Sequence, residues 1–459
     1  MRLRRTWLTV LTVSVLLVPA PARAADFSPG APGAGDPYFP LQGNGGYDVT
    51  RYDLDLRYDP AHQDLTATAT IAAVATQDLG RFDLDLSGLV VDTVSVDAGP
   101  ARFTRDGDEL VVTPGSGLRD RHPFTVVVRY HGQPDLIIDP DKSRDGWIRT
   151  DDGVFNANEP LGAKSWFPGN HHPTDKAAFR YRIAVPTGVT AVANGALVRS
   201  SDAGGWNVSE WDSPEPMATY LATVTIGRFA IERGVTAGGV PILNAVDPRE
   251  ATAAAAVLPK IGSIVDYYAS LFGPYPFGTT GVIIDKADRV GYALETQSRP
   301  LFPATPSELT LAHELAHQWY GDSVSLGRWR DMWLNEGFAT YAEWLWSEHN
   351  GARTTQQFFD ELYARPASDP FWSLPPADPG DPAHLFTGAV YARGAMTLHI
   401  LRRTVGDTVF FDILRAWATD HRYGSVTTPD FVALAGQRAG RPLDELFHDW
   451  LDTPSKPGA

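Results

Sequence analysis

The run His313-Glu314-Leu315-Ala316-His317 constrains this chain more than anything else in it. Two histidines four positions apart reach a common metal ion when the backbone between them is helical, because one turn brings positions i and i+4 onto one face. The flanks favour a helix. Thr305 can serve as N-cap, Pro306 suits the first helical position, Glu308 completes a capping box, and Gly321 stands beyond the last turn as a stop. Glu314 lies near the same face and is placed to act on a water at the metal. The chain has no cysteine, so disulfides and thiolate metal sites are excluded. A metal here must be held by imidazole and carboxylate.

Two histidines leave such a site incomplete. Glu336 follows His317 after eighteen intervening residues and begins a second helical pattern, Asn335 to Glu343. A hairpin of the two helices would bring its carboxylate to the histidines. Three protein ligands with one position open to water is the catalytic zinc arrangement. His313, His317 and Glu336 are therefore expected to hold one Zn2+, with Glu314 as general base. Metal-bound imidazoles are usually oriented by a further acceptor, and Glu343 is a candidate for that role.

Around this motif the chain reads as several domains. Its 459 residues suggest two to four, and 43% hydrophobic content allows substantial cores. A net charge of -16 argues against nucleic acid as a partner, serves solubility, and is compatible with cationic groups such as peptide amines. Arg2, Arg4 and Arg5, the apolar run Trp7 to Val18 and Ala22-Arg23-Ala24 form an export signal, with cleavage expected after Ala24 and a secreted, extracellular product. The apolar run is too short to span a bilayer, and no stable membrane anchor is expected.

Residues 25–46, rich in Pro and Gly, read as a flexible lead-in. From 47 to 230 the pattern is of strands: Tyr52, Leu54 and Leu56 alternate with Asp53 and Asp55, and Phe82, Leu84 and Leu86 with Asp83 and Asp85. An all-β saddle or sandwich is expected there. From 231 to 459 helical spacing dominates, first in Ala251 to Leu271, later around Leu398, Val409 and Phe431, with Thr428-Pro429 as a cap and following Pro. The expected class is thus α+β and multidomain. Trp329, Trp333, Trp344 and Trp346 are read as packing residues.

HELAHQWYG at 313–321 and WLNEGFA at 333–339 resemble the zinc-binding region of the aminopeptidase N family of gluzincins. AKSWFPGNHHPTDKAA at 163–178 and the stretch from Pro216 to Leu221 extend the likeness to most of the region from Tyr47 to about Leu451. The resemblance implies a thermolysin-like catalytic domain behind a β-rich one. It also implies a large helical C-terminal domain in many relatives that this chain is expected to lack, leaving a more open cleft.

Further roles follow from the resemblance alone. Tyr292-Ala-Leu-Glu-Thr296 stands where the family has G-x-M-E-N, which makes Glu295 the carboxylate that binds the substrate's α-amine. Glu159 resembles the second amine-binding position. Tyr391, in Val390-Tyr-Ala-Arg-Gly394, resembles the tyrosine that donates to the oxyanion, with Arg393 where lysine is usual. The implied activity is release of single residues from peptides with a free N-terminus. The changed motif around Glu295 keeps a thermolysin-like endopeptidase as an alternative, and a zinc-containing binding protein without catalysis is the alternative from another class. The sequence leaves the oligomeric state open.

Overall fold

The computed structural model describes residues 27–458. The expected export leader and its cleavage site lie outside them. The amino-terminal half is built on an eight-stranded sheet. Its centre is Tyr47–Asp59, antiparallel to Asp64–Ala75 and parallel to Ala177–Pro186. The alternation at 52–56 sends Tyr52, Leu54 and Leu56 to one buried face, as a period of two requires. Facing it lies a five-stranded sheet that includes Arg144–Arg149, Val154–Ala157, Thr190–Ala193 and Val224–Gly227. Two sheets with a shared core make the expected sandwich. The alternation at 82–86 does not leave Asp83 and Asp85 in solvent: both are buried, and Asp85 accepts from Gly43 N, Asn44 Nδ2 and His171 N.

The carboxy-terminal half opens with a four-stranded sheet of Ala230–Val235, Pro241–Val246, Ile283–Ile284 and Leu301–Phe302. Nine α-helices are assigned among the described residues: α1 Ala251–Ala254, α2 Lys260–Phe272, α3 Glu308–Ala316, α4 Trp333–His349, α5 Thr355–Tyr363, α6 Gly394–Val405, α7 Asp407–Asp420, α8 Thr428–Ala439 and α9 Asp444–Phe447. The one long helix expected over 251–271 is two, separated by turns. Pro259 stands just before α2, where its ring and missing N–H stop a helix arriving from upstream. All four tryptophans of the 329–346 run are buried.

Three local expectations change. The cap of α3 is Ser307, whose Oγ accepts from Thr310 N at 3.1 Å. Thr305 instead gives its hydroxyl to the Glu250 carboxylate, 2.9 Å away, a charged acceptor that outcompetes a cap. Glu308 receives the Trp346 indole N–H at 3.0 Å and closes no capping box. Likewise α8 is capped by Thr427 with Asp430, while Thr428 donates to Asp331.

The lead-in is not loose. Asp36 accepts the Trp329 backbone N–H at 2.9 Å, Tyr38 donates to Asp378, and Phe39 packs edge-on against Trp329. Gln42 accepts from the Trp329 indole and donates to Pro160 O at 2.7 Å. Asn44 N donates to Asn170 Oδ1. Residues 36–44 therefore stitch the β half to the helical half. Composition suggested flexibility, but Asp36, Gln42 and the Asn44 backbone N–H all find partners in buried hydrogen bonds.

Candidate metal centre and catalytic cavity

Helices α3 and α4 form the hairpin that the two motifs require. His313 lies in the last turn of α3, His317 is its C-cap, and Glu336 sits in the first turn of α4. The Glu336 Oε2 lies 3.1 Å from His313 Nε2 and 3.5 Å from His317 Nε2. Both ring Nδ1 atoms face away to acceptors: His313 to Glu343 Oε1 at 2.6 Å, His317 to Tyr320 O at 3.0 Å. Each imidazole is thus held with Nε2 turned toward Glu336. Zinc bonds of about 2.0–2.1 Å arranged tetrahedrally separate neighbouring donor atoms by about 3.3 Å. The observed spacings bracket that value, so this donor set fits zinc.

Electrostatics sharpen the picture. Burial alone would raise the Glu336 carboxyl, but His317 and His313 beside it hold it down at about 2. Burial would lower His317, yet Glu295 and Glu336 lift it to about 8. Glu314, between the histidines in sequence, is buried and is pushed up to about 8, mainly by desolvation. A carboxyl whose proton affinity sits near neutrality can both take and return a proton.

The cluster opens into a cavity of about 710 Å³ whose lining includes Glu159, Tyr292, Glu295, Glu314 and Tyr391. Tyr391 lies in a π-helical turn, Ala389–Arg393, just before α6. Such turns recur at functional sites because they displace one side chain from the helical register. Its ring stacks on His313, with centroids 5.9 Å apart and planes 14° apart. Burial raises its phenol well above the usual range, which keeps it a proton-bearing donor. Arg393 turns away from the cavity and donates to the carbonyls of Trp372, Asp449 and Thr453.

Glu295 and Glu159 come from opposite halves of the molecule and meet here. Ligand atoms of Glu159, Glu295 and Glu336 lie within 4.8 Å of one another. One carboxylate oxygen of Glu159 and one of Glu295 are buried with no hydrogen-bond partner. Such groups are costly unless something cationic or hydrogen-bonding completes them. Burial lifts both carboxyls, and neighbouring acids lift Glu159 further.

Sequence reasoning missed what fixes Glu295. Gln318 Nε2 donates to Glu295 O at 3.1 Å, and Gln318 Oε1 accepts from Ser298 N at 2.7 Å. The Arg299 guanidinium, fully buried, reaches Leu243 O, Ala193 O and Gly195 O, tying this loop to the β half. Tyr220 accepts from Asn335 Nδ2 beside Glu336. Only Gln318, adjoining His317, offered a signal; the others contact residues remote in sequence.

Residues 49–221 match the peptidase M1 N-terminal domain and residues 300–450 the peptidase family M1 domain, together more than half of the chain. The chain belongs to peptidase family M1. Among family M1 relatives, Aminopeptidase M1 of Arabidopsis thaliana is 26% identical over 450 residues, covering 89% of this chain and 50% of that protein. Tricorn protease-interacting factor F2 of Thermoplasma acidophilum is 25% identical, covering 89% of this chain and 53% of that one. The chain spans about half the length of the curated relatives it matches. The M1 zinc metallopeptidase of Deinococcus radiodurans superposes with a TM-score of 0.87 at 29% identity, covering 93% of this chain and 98% of that one. A mutant of that enzyme bound to a Tyr-Ser-Ala substrate gives a TM-score of 0.86.

Proposed function

We propose that this chain is a zinc-dependent aminopeptidase that releases single residues from peptides with a free N-terminus. The observation that carries the reading is the pair of buried, unpartnered carboxylates of Glu159 and Glu295 beside the His313, His317 and Glu336 cluster. A substrate ammonium group would complete both. A peptide anchored there by its first amine presents its first peptide bond to the cluster, which makes the enzyme an exopeptidase. The tripeptide seen in the Deinococcus relative agrees with this substrate class.

One zinc ion, held by His313, His317 and Glu336, would supply Lewis-acid polarisation of the scissile carbonyl and a more acidic water. Glu314 accepts the proton of the attacking water and hands it to the departing amine. The Tyr391 hydroxyl donates to the oxygen that gains negative charge, a contact typically worth ~3–4 kcal/mol. Glu343 holds His313 in the tautomer that leaves Nε2 free. Glu295 and Glu159 hold the ammonium group and so set the scissile bond's position. The leader of residues 1–24 supports export, with the active chain working outside the cell. Among the described residues no helix is long and apolar enough to cross a membrane.

The test is hydrolysis of one tripeptide with its N-terminus free and acetylated, with and without a zinc chelator. Chelator-sensitive release of single residues from the free peptide alone is expected, and Glu295→Gln should abolish the preference. Equal cleavage of both peptides would overturn the amine-binding role and favour an endopeptidase.

A further inference from the structure

The two carboxylates assigned to the substrate amine belong to different halves of the molecule, so something must set the gap between them. The geometry points to a hydrogen-bonded bridge, Tyr292 to Asp145, that positions Glu159 relative to Glu295 across the domain boundary and thereby tunes recognition of the amine. This rests on the amine-binding reading above.

The bridge starts on the segment that carries Glu295. Tyr292, three residues upstream, sends its phenol to the β half, where it donates to Arg144 O at 2.7 Å and Asp145 Oδ1 at 3.0 Å. The other oxygen of Asp145 faces the Glu159 loop. It accepts Gly162 N at 2.9 Å and Leu161 N at 3.3 Å. Asp145 is fully buried, so its carboxylate has little access to competing water, while the Tyr292 end of the bridge is half-buried. Contact between the loop and the Asp145 strand is direct: a methyl group added to Gly162 would lie 2.4 Å from Gly146 N.

The loop's other holds lie on its remaining residues. Asn158 donates to Ala222 O and accepts the Trp166 indole N–H, and Pro160 O accepts from Gln42. None of these reaches the Glu295 segment. The chain of contacts from Glu295 through Tyr292 and Asp145 to Leu161 and Gly162 does. The motif that 292–296 resembles has glycine at the first position, which has no side chain to span this distance; tyrosine here makes the link. Tyr292 and Asp145 are positioning residues, since neither replaces a ligand, the base or an amine-binding carboxylate.

The experiment uses the zinc-loaded full chain with Tyr292→Phe, Asp145→Ala and Asp145→Asn. Two readouts are taken: kcat and KM on a free-amine tripeptide, and inhibition by leucinamide against isocaproamide, the same molecule without its amine. Tyr292→Phe should raise KM about 10-fold with kcat altered less than about 3-fold, because ground-state binding of the amine is what loosens. Inhibition by leucinamide should weaken by a similar factor and that by isocaproamide should not. Asp145→Ala should behave likewise, and Asp145→Asn, which keeps an acceptor for Leu161 and Gly162, should restore most of the affinity. Unchanged KM and unchanged leucinamide inhibition in Tyr292→Phe would overturn the bridge. Should Asp145→Ala fail to fold, Tyr292→Phe decides alone, since it removes one oxygen at a half-buried site. Glu295→Gln run in parallel separates the two claims. If it leaves the leucinamide preference intact, the amine-binding reading itself fails; if it removes that preference while Tyr292→Phe does not, only the bridge fails.

Discussion

Replacing Gly337 by alanine sets two effects against each other. Inside α4, alanine gains about 1 kcal/mol over glycine from helix propensity. The added methyl group, however, would lie 2.9 Å from the carbonyl carbon and Cα of Gly394. These are backbone atoms and cannot rotate aside. Comfortable carbon contacts lie at about 3.5–4.0 Å, so α4 and the start of α6 must part by about 0.8 Å. Overpacking of this sort costs about 1–3 kcal/mol, leaving a net loss of ~0–2 kcal/mol. At about 2–4 °C per kcal/mol for a domain of this size, the melting temperature should fall by about 0–8 °C. Activity should suffer more. Glu336 directly precedes Gly337, and Tyr391 lies three residues before Gly394. Parting the helices widens the space between ligand and phenol, and a misplacement near 1 Å can cost about 100-fold. A fall in kcat/KM of about 10–100-fold is expected on a free tripeptide, with melting followed by circular dichroism on the zinc-loaded protein. A variant that melts higher and keeps its kcat/KM would refute the argument, since propensity would then have outweighed a contact that does not exist.

Other perturbations give cleaner outcomes. Glu314→Gln removes the proposed proton carrier without changing shape, and kcat should drop by about 10²–10⁴-fold with little change in KM; zinc content by atomic absorption should stay near that of the parent. Glu343→Ala takes away the acceptor that orients His313, and zinc affinity from chelator competition should weaken by about 10–100-fold. His171, outside the lining of the catalytic cavity, tests linkage. Burial holds its imidazole down at about 3 in the fold, against an ordinary value of 6.5. The folded chain therefore binds this proton less readily than the unfolded chain. Its stabilising contribution is whole above pH 6.5 and is lost as pH falls toward 3, by about 1.4 kcal/mol per pH unit. In His171→Gln that slope should vanish, so denaturant curves of parent and variant should converge on acidification; parallel curves across pH 4–6 would count against it.

The clustering of His313, His317 and Glu336 was legible because helical spacing is rigid. Once His313 and His317 share a turn and Glu336 opens the next helix, the hairpin has few ways to close. The β half was legible where a strand has one wet face, as at Tyr52, Leu54 and Leu56. It was misread where both faces are covered, as at Asp83 and Asp85. Caps were misplaced by two residues and by one, because Thr305 and Thr428 spend their hydroxyls on tertiary partners that no local window contains. Apart from Gln318, which adjoins His317, the supports of Glu295 and Glu159 were invisible for the same reason. Gln318, Arg299, Asp145 and Gln42 act on residues that are remote in sequence or reached only by a particular turn.

The stitching by residues 36–44 has a consequence for how the molecule comes into being. Asp36 and Gln42 find their partners at Trp329, and Tyr38 finds its own at Asp378. On a ribosome these residues emerge early and must wait while some three hundred more are made. Closing loops of that length is slow compared with forming local structure. The seam is therefore expected to set late, after each half has acquired its own core. A β half expressed alone would leave Asp36, Gln42 and Arg299's carbonyl acceptors without completion, so the two halves, though distinct in architecture, should behave as one unit when cut, diluted or heated.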